Sequence, residues 1–294
     1  MPAVTRPVRR KKPFPWKEAL RILVLTLISL LMIFPIFWMI SGSLKAPHEV
    51  MNKDVFWPAK PYWENYAIAW KSAPFGQYFK NSILMATTVV ICQVLTGSLA
   101  GYAFAKLPFK LSKPIFFLFL CSMMIPSEAT IVSNFLTLAA LRPTNTFFSV
   151  IVVSLVSMFS VFLFRQFTIK IGASYDNAVS DVRNALLEAA YIDGAGDLRV
   201  YWSIILPLSK SAIATVAIIG FIGNWNSYMW PKVVATKESL RTVQTGLRML
   251  MQSDFGDDWG SIMAAATLIT MPMILFFVCL QRYFVQGITK VGLK

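Results

Sequence analysis

The stretch EAAYIDGAGDLRVYWSIILP, residues 188–207, decides the reading of this chain. It is polar and rich in small residues, yet it stands between apolar runs long enough to cross a bilayer. A strip of that kind in so oily a chain must face water or an aqueous partner. Ala185, Leu186, Leu187, Glu188, Ala189 and Ala190 are strong helix formers. Asp176 or Asn177 is a candidate N-cap and Gly194 a candidate stop. Val179, Val182, Leu186 and Ala189 share one helical face. Asp197 is placed to cap a second helix that runs through Ile204 and turns at Pro207. The expectation is a short helix, a sharp glycine bend and a rising helix. Small Ala189 and Ala190 would let another protein come close, and Glu188 and Asp193 would offer polar contacts at its edge.

Outward from this strip, the composition names the solvent. The chain has 294 residues, 56% hydrophobic and 14% charged, with 23 Phe and 9 Trp. Soluble domains carry about 25% charged residues, so lipid is the medium. A net charge of +14 raises the question of nucleic acid. The basic residues, however, lie at the ends of apolar runs rather than on one polar face. Such flanks suit a membrane with anionic inner lipids. Cys92, Cys121 and Cys279 all fall within apolar segments and read as packing residues, not as a disulfide or metal set. His48 has no Cys or His neighbour at ligand spacing, so no metal site is expected.

About 20 apolar residues cross the hydrocarbon as a helix. Six segments qualify, near 19–40, 82–104, 114–138, 146–167, 209–231 and 261–283, the third and fifth interrupted by polar residues. The basic start RPVRRKKPFPWK resembles a signal peptide, and Ser41, Gly42 and Ser43 imitate a cleavage site. The apolar run that follows is far longer than the roughly 7–15 residues of a signal core, so a retained first span is expected. Of the 28 Lys and Arg, 18 lie in segments 1–21, 105–113, 165–210 and 282–294, and ten lie in 41–80, 139–145 and 232–260. The bias places the first group, with both termini and the strip at 188–207, in the cytoplasm. The expected layout is a basic N-terminus over 1–18, a membrane domain over 19–283 containing a loop at 168–208, and a tail over 284–294. Segment 41–80 carries Pro47, Pro58, Pro61 and Pro74 with Trp57, Trp63 and Trp70, which suits the aromatic interface belt and forbids one long helix. In 232–260, Leu240, Val243, Leu247 and Leu250 recur at helical spacing and predict an amphipathic helix.

The chemistry of an enzyme is missing from the sequence. No phosphate-cradling G-x-x-x-x-G-K-[ST] occurs, nor H-E-x-x-H, G-x-S-x-G or a paired-Cys motif. No catalytic residue, bound cofactor or metal is therefore expected. A gradient-driven carrier would want an inverted repeat and buried ionisable groups, and Glu128 stands almost alone. Intramembrane polar residues remain the candidates for a solute path. Asn224, Trp225, Asn226 and Tyr228 combine hydroxyl-pairing amides with flat aromatic faces, as sugars require. They equally suit interhelical bonding and interface anchoring. Ser127, Glu128 and Asn134 form a second patch, where MIPSEA also reads as the cap of a broken helix. Gly97 and Gly101 give a G-x-x-x-G and read as close helix packing.

One spacing is specific. E-A-A, three residues, Gly, nine residues, Ile, one residue and Leu-Pro fall on Glu188, Ala189, Ala190, Gly194, Ile204, Leu206 and Pro207. This resembles the cytoplasmic coupling loop of ATP-binding-cassette importer permeases. FPIFWMISGSLK at 34–45, NSILMATT at 81–88, GYAFAKL at 101–107, MIP at 124–126, FRQF at 164–167, NWNSYMWP at 224–231 and QRYFVQGITKVGLK at 281–294 resemble the second permease subunit of the maltose-type carbohydrate importers. The resemblance implies an all-α membrane protein of the type I importer architecture, with six transmembrane helices and cytoplasmic termini, in a bacterial inner membrane. It implies a second homologous permease, two ATPase subunits forming a homodimer, and a periplasmic or lipid-anchored substrate-binding protein. ATP and Mg would be used by the ATPases alone. Glu188, Ala189, Ala190, Asp193, Gly194 and Pro207 would couple ATPase closure to alternating access for a sugar or oligosaccharide. A permease for another polar solute, such as an amino acid, is the alternative. An acidic oligomer such as alginate is an expectation with no residue behind it. The family's link between FRQF and E-A-A is tighter, so ASYDNAVSDVRN at 173–184 reads as an insertion. The tail from Gly287 is expected to reach the ATPases, as in some members.

Overall fold

The first apolar run rises as one helix, α1 (Trp16–Ser43), exposed along its apolar length until Phe34, Phe37 and Trp38 meet the rings of Phe56 and Trp57. The computed structural model describes residues 16–52, 54–171, 187–252 and 258–292. Every regular element among them is helical. After α1 come α2 (Pro47–Val50), α3 (Glu64–Lys71), α4 (Phe75–Lys106), α5 (Ser112–Ser122), α6 (Ser127–Ala140), α7 (Phe147–Ile151, continued by a 3-10 turn to Ser154) and α8 (Met158–Ile171). Then follow α9 (Asp197–Leu208), α10 (Lys210–Trp225), α11 (Met229–Val234), α12 (Val243–Gln252) and α13 (Trp259–Gly292). The inserted segment 173–184, and with it the N-cap at Asp176 or Asn177, lies outside the described residues, as do the side chains of the tail from 284.

Helices α1, α4 and α13 are each long and apolar enough to cross a membrane, and three bent pairs reach that length together. The pairs bend for local reasons. Between α5 and α6 the chain turns by 102° at Met123–Pro126, where Pro126 offers no N–H and drives the residue before it out of the helical region. The α7–α8 pair bends by 44° and the α9–α10 pair by 75°.

Several boundaries differ from the sequence reading. The second span begins at Phe75, seven residues early, because Pro74 sets the start and Phe75 and Tyr78 are buried under α12. The fifth span stops at Trp225 rather than 231. Asn226 ends the helix, and a new one, α11, starts at Met229 with Pro231 in its first turn, where a missing N–H costs nothing. Leu240 belongs to a separate 3-10 turn, and the amphipathic helix begins at Val243, whose N–H is taken by the Ser82 hydroxyl at 3.0 Å.

The centre of the fold is α4. It packs closely on α8 because Gly97 and Gly101 present no side chain there. A Cβ on Gly97 would come within 2.7 Å of the Ser160 Cβ, and one on Gly101 within 2.6 Å of the Phe164 Cβ. Its other side meets α10, and α10 meets α13 through stacked Phe221 and Phe276 rings 4.1 Å apart. The C-terminal end of α1 is drawn into this packing. Ser41, Gly42 and Ser43 are buried, Gly42 lies against Met263, and the Ser43 and Tyr66 hydroxyls bond at 2.8 Å. The residues that imitate a cleavage site are thus part of the folded core. Next to them Lys45 is also buried, its ammonium 4.4 Å from the centre of the Trp38 ring.

Candidate functional site

The strip at 188–207 folds as a short helix over 187–192, a bend, and α9. The bend is made by the backbone. Gly194 takes a φ of +76°, the left-handed region that glycine enters freely. Its N–H bonds the Tyr191 carbonyl at 3.0 Å, and the Ala195 N–H reaches back to Ala190 at 2.9 Å. This pair of bonds is the Schellman arrangement, which satisfies carbonyls a helix end otherwise leaves free. A Cβ on Gly194 would meet nothing within 4 Å, so conformation rather than space inside the chain demands the glycine.

The bend has a face turned outward and a face turned in. Glu188, Ala189, Ile192, Asp193 and Leu198 are exposed, Ile192 to 85% and Leu198 to 69%. Ala190 points the other way. With Ala195 and Ile204 it packs on buried Leu187, Val200, Tyr201, Ile205 and Tyr102. The two alanines therefore do different work: Ala189 leaves the outer face low, and Ala190 lets the strip settle on α4. Spacing alone does not single out Ile192 and Leu198. Two large apolar side chains exposed on an otherwise polar bend were the available signal.

Hydroxyls fasten the strip to α4. The Tyr191 hydroxyl donates to the Asp197 carboxylate at 2.9 Å, and the Tyr102 and Tyr191 hydroxyls lie 3.1 Å apart. Since Tyr191 gives its one proton to Asp197, Tyr102 is the donor in the second bond. Burial first, and then the bond to Asp197, hold the Tyr191 hydroxyl above its ordinary pKa range, so it stays neutral. Ser98 gives its proton to the Val94 carbonyl at 2.6 Å, which leaves it to accept from Tyr201 at 2.7 Å. Asp197 does not cap α9 as the sequence predicts. Gly196 occupies the cap position, and the Asp197 side chain is engaged by Tyr191. Nor does α9 turn at Pro207. A wide turn of π type over Tyr201–Ile205 accommodates the proline, whose ring would crowd the carbonyl four residues back, and the chain bends two residues later at Ser209.

The solute-path candidates separate. Trp225, read as path-lining, is fully buried, stacks 5.5 Å from Phe221 and donates its indole N–H to the Ile269 carbonyl at 3.0 Å. It holds α10 to α13. The Asn224 amide donates to the Gly220 carbonyl of its own helix at 2.8 Å. Asn226 is exposed and accepts from the Gln244 amide at 3.1 Å. Tyr228 faces a hollow of about 320 Å³ beside α11 and α12. Glu128 stands exposed in the first turn of α6, and Asn134, two turns on, donates to Thr130 at 3.3 Å. The two polar patches occupy different helices and the structure brings no bond between them.

Apolar helices of membrane length, with a bent polar strip fastened to one of them, make this a multi-pass membrane protein whose polar bend is presented to a partner, the make-up of a membrane component of a transport system. The chain belongs to the family of binding-protein-dependent transport system inner membrane components, whose model matches residues 93–290. That family forms the multi-pass permease of such systems and is not itself an enzyme. The sn-glycerol-3-phosphate transport system permease protein UgpE of Yersinia enterocolitica is 31% identical over 267 residues, 88% of this chain and 91% of its own. The arabinooligosaccharides transport system permease protein AraQ of Halalkalibacterium halodurans is 28% identical over 97% of this chain and 99% of its own. A chain in the crystal structure of a bacterial ABC transporter involved in the import of the acidic polysaccharide alginate shares the fold, with a TM-score of 0.76, 22% identity, and coverage of 93% of this chain and 100% of that one.

Proposed function

We propose that this chain is one of two permeases in an ATP-driven importer of polyhydroxylated solutes, sugars or oligosaccharides, handed over by a substrate-binding protein. It crosses the membrane six times, each bent helix pair counting as one span, with both termini in the cytoplasm. A second permease completes the path. Two ATPase subunits use ATP and Mg below the membrane, and no cofactor is assigned to this chain. The observation that carries the reading is the outward face of the bend, where Glu188, Ala189, Ile192, Asp193 and Leu198 stand free on a strip fastened to α4. A partner that moves this face moves Tyr191 and Tyr201, and through them α4 and its close neighbour α8. Asn226, Tyr228, Glu128 and Asn134 are the path residues best placed to meet solute, while Trp225 ties α10 to α13 and the Asn224 amide is taken up by its own helix. A relative named for sn-glycerol-3-phosphate transport supports a second reading, in which the solute is a small polyol phosphate.

Proteoliposomes containing this chain with its partner permease and ATPases test the proposal. Uptake of an arabino-oligosaccharide or of sn-glycerol 3-phosphate should require both ATP and the binding protein. Gly194→Asp should leave the protein inserted and ATP hydrolysis running while uptake collapses. Concentrative uptake by this chain without an ATPase, or unchanged uptake by Gly194→Asp, would overturn it.

A further inference from the structure

We infer that the hollow beside α11 and α12 is a binding site for the anionic group, carboxylate or phosphate, of a soluble solute. This rests on the importer reading and on the orientation that puts segment 232–260 outside the cell. The hollow measures about 320 Å³ and is lined by Tyr228, Lys232, Thr236, Arg241, Thr245 and Gln252, among others. That volume falls within the range of small-ligand sites, roughly 300–1,000 Å³.

Its charge is one-sided. The Lys232 ammonium lies 5.2 Å from the centre of the Tyr228 ring and the Arg248 guanidinium 5.6 Å from it. Arg241 lines the same hollow, with the Glu238 carboxylate 3.6 Å away. Among the described residues no acidic side chain lines the hollow; Lys232 and Arg241 line it, Arg248 stands at its rim over the Tyr228 ring, and Glu238 is the carboxylate paired with Arg241. Lys and Arg are scarcer outside a membrane than inside, which makes their gathering at one outer concavity informative. The aromatic ring holds two of the cations by its electron-rich face. A guanidinium fixed in this way is prepared for two-point bonding to a carboxylate or phosphate, and the ammonium adds a point charge. The site also has a position that suits solute. Gln244 of α12 bonds Asn226 at the outer end of α10, so the hollow opens beside the polar residues proposed for the path.

The complete transporter, in nanodiscs of phosphatidylcholine, would be examined by saturation-transfer NMR with sodium glucuronate and with glucose, its near-neutral counterpart. Signal transfer to glucuronate should exceed that to glucose at least threefold, and Lys232→Gln combined with Arg248→Gln should reduce it to the glucose level. Both side chains are exposed, and an unchanged elution volume would verify folding. Equal transfer to the two sugars, or transfer that survives the double substitution, would overturn the site. In nanodiscs containing phosphatidylglycerol, glucuronate transfer should persist; its displacement would assign the cations to lipid phosphate and refute the proposal. If the double variant keeps its glucuronate signal but no longer captures the binding protein, the patch docks protein and the proposal fails. A complex that binds glucuronate here but imports nothing would refute the importer reading and spare the site. ATP-driven import with no difference between glucuronate and glucose would do the reverse.

Discussion

Gly194 and Trp225 mark the two ways a residue matters in this chain. At Gly194 the left-handed backbone is required and the surrounding space is open. Gly194→Ala should cost the bend about 1 kcal/mol, the penalty of an L side chain in that region. Uptake should fall while the amount of folded protein in the membrane holds, as transport assays beside quantitative immunoblots would show. Trp225→Ala should instead remove a fully buried ring and its indole bond to the Ile269 carbonyl, costing about 3–5 kcal/mol and lowering the melting temperature of the purified protein. The first of these roles was legible in the sequence, because glycine after a run of helix formers predicts a helix stop. The second was not. An Asn-Trp-Asn run near a membrane face has the same composition whether its ring meets solute or a neighbouring helix, and the partner atom here is the backbone of a residue 44 positions away.

At the scale of elements, α4 connects the bend to the rest of the molecule. Tyr102→Phe should sever the hydroxyl bond to Tyr191 at a cost of about 1 kcal/mol. The informative readout is the ratio of solute imported to ATP hydrolysed, which should drop by more than the loss of folded protein. If that ratio is unchanged, the hydroxyls only add stability. The contact between α4 and α8 tolerates nothing larger than glycine. A Cβ on Gly101 would lie 2.7 Å from the Arg165 backbone nitrogen, so Gly101→Ala should destabilise by about 1–3 kcal/mol. Gly223, in α10, has nothing within 4 Å of the same position, and Gly223→Ala should leave the melting temperature equal or higher. The G-x-x-x-G at 97–101 was readable as packing, and Pro126 as a helix break. The bends at Ser209 and between α7 and α8 were not readable. No proline or glycine stands at either break, and Pro207 directs attention two residues too early, because a π turn absorbs it.

Taken whole, the molecule is a set of apolar helices with a polar bend held at one end and a cationic hollow beside α11 and α12. The number of apolar segments and the special character of residues 188–207 follow from composition and spacing, since lipid leaves the backbone no alternative to helix. What spacing cannot convey is which side of the strip faces in, because that depends on Tyr102 and Leu187 meeting across 85 residues of chain. The most direct test of the account is the side of the membrane on which the bend lies and what covers it there. Cys92, Cys121 and Cys279 would be replaced by alanine, a single cysteine introduced as Ile192→Cys, and an impermeant maleimide applied to intact spheroplasts and to inverted vesicles. Labelling is expected only in inverted vesicles stripped of the ATPase subunits, and protection on adding those subunits back. Labelling of intact spheroplasts, or a site equally reactive with the ATPases bound, would contradict a cytoplasmic docking bend.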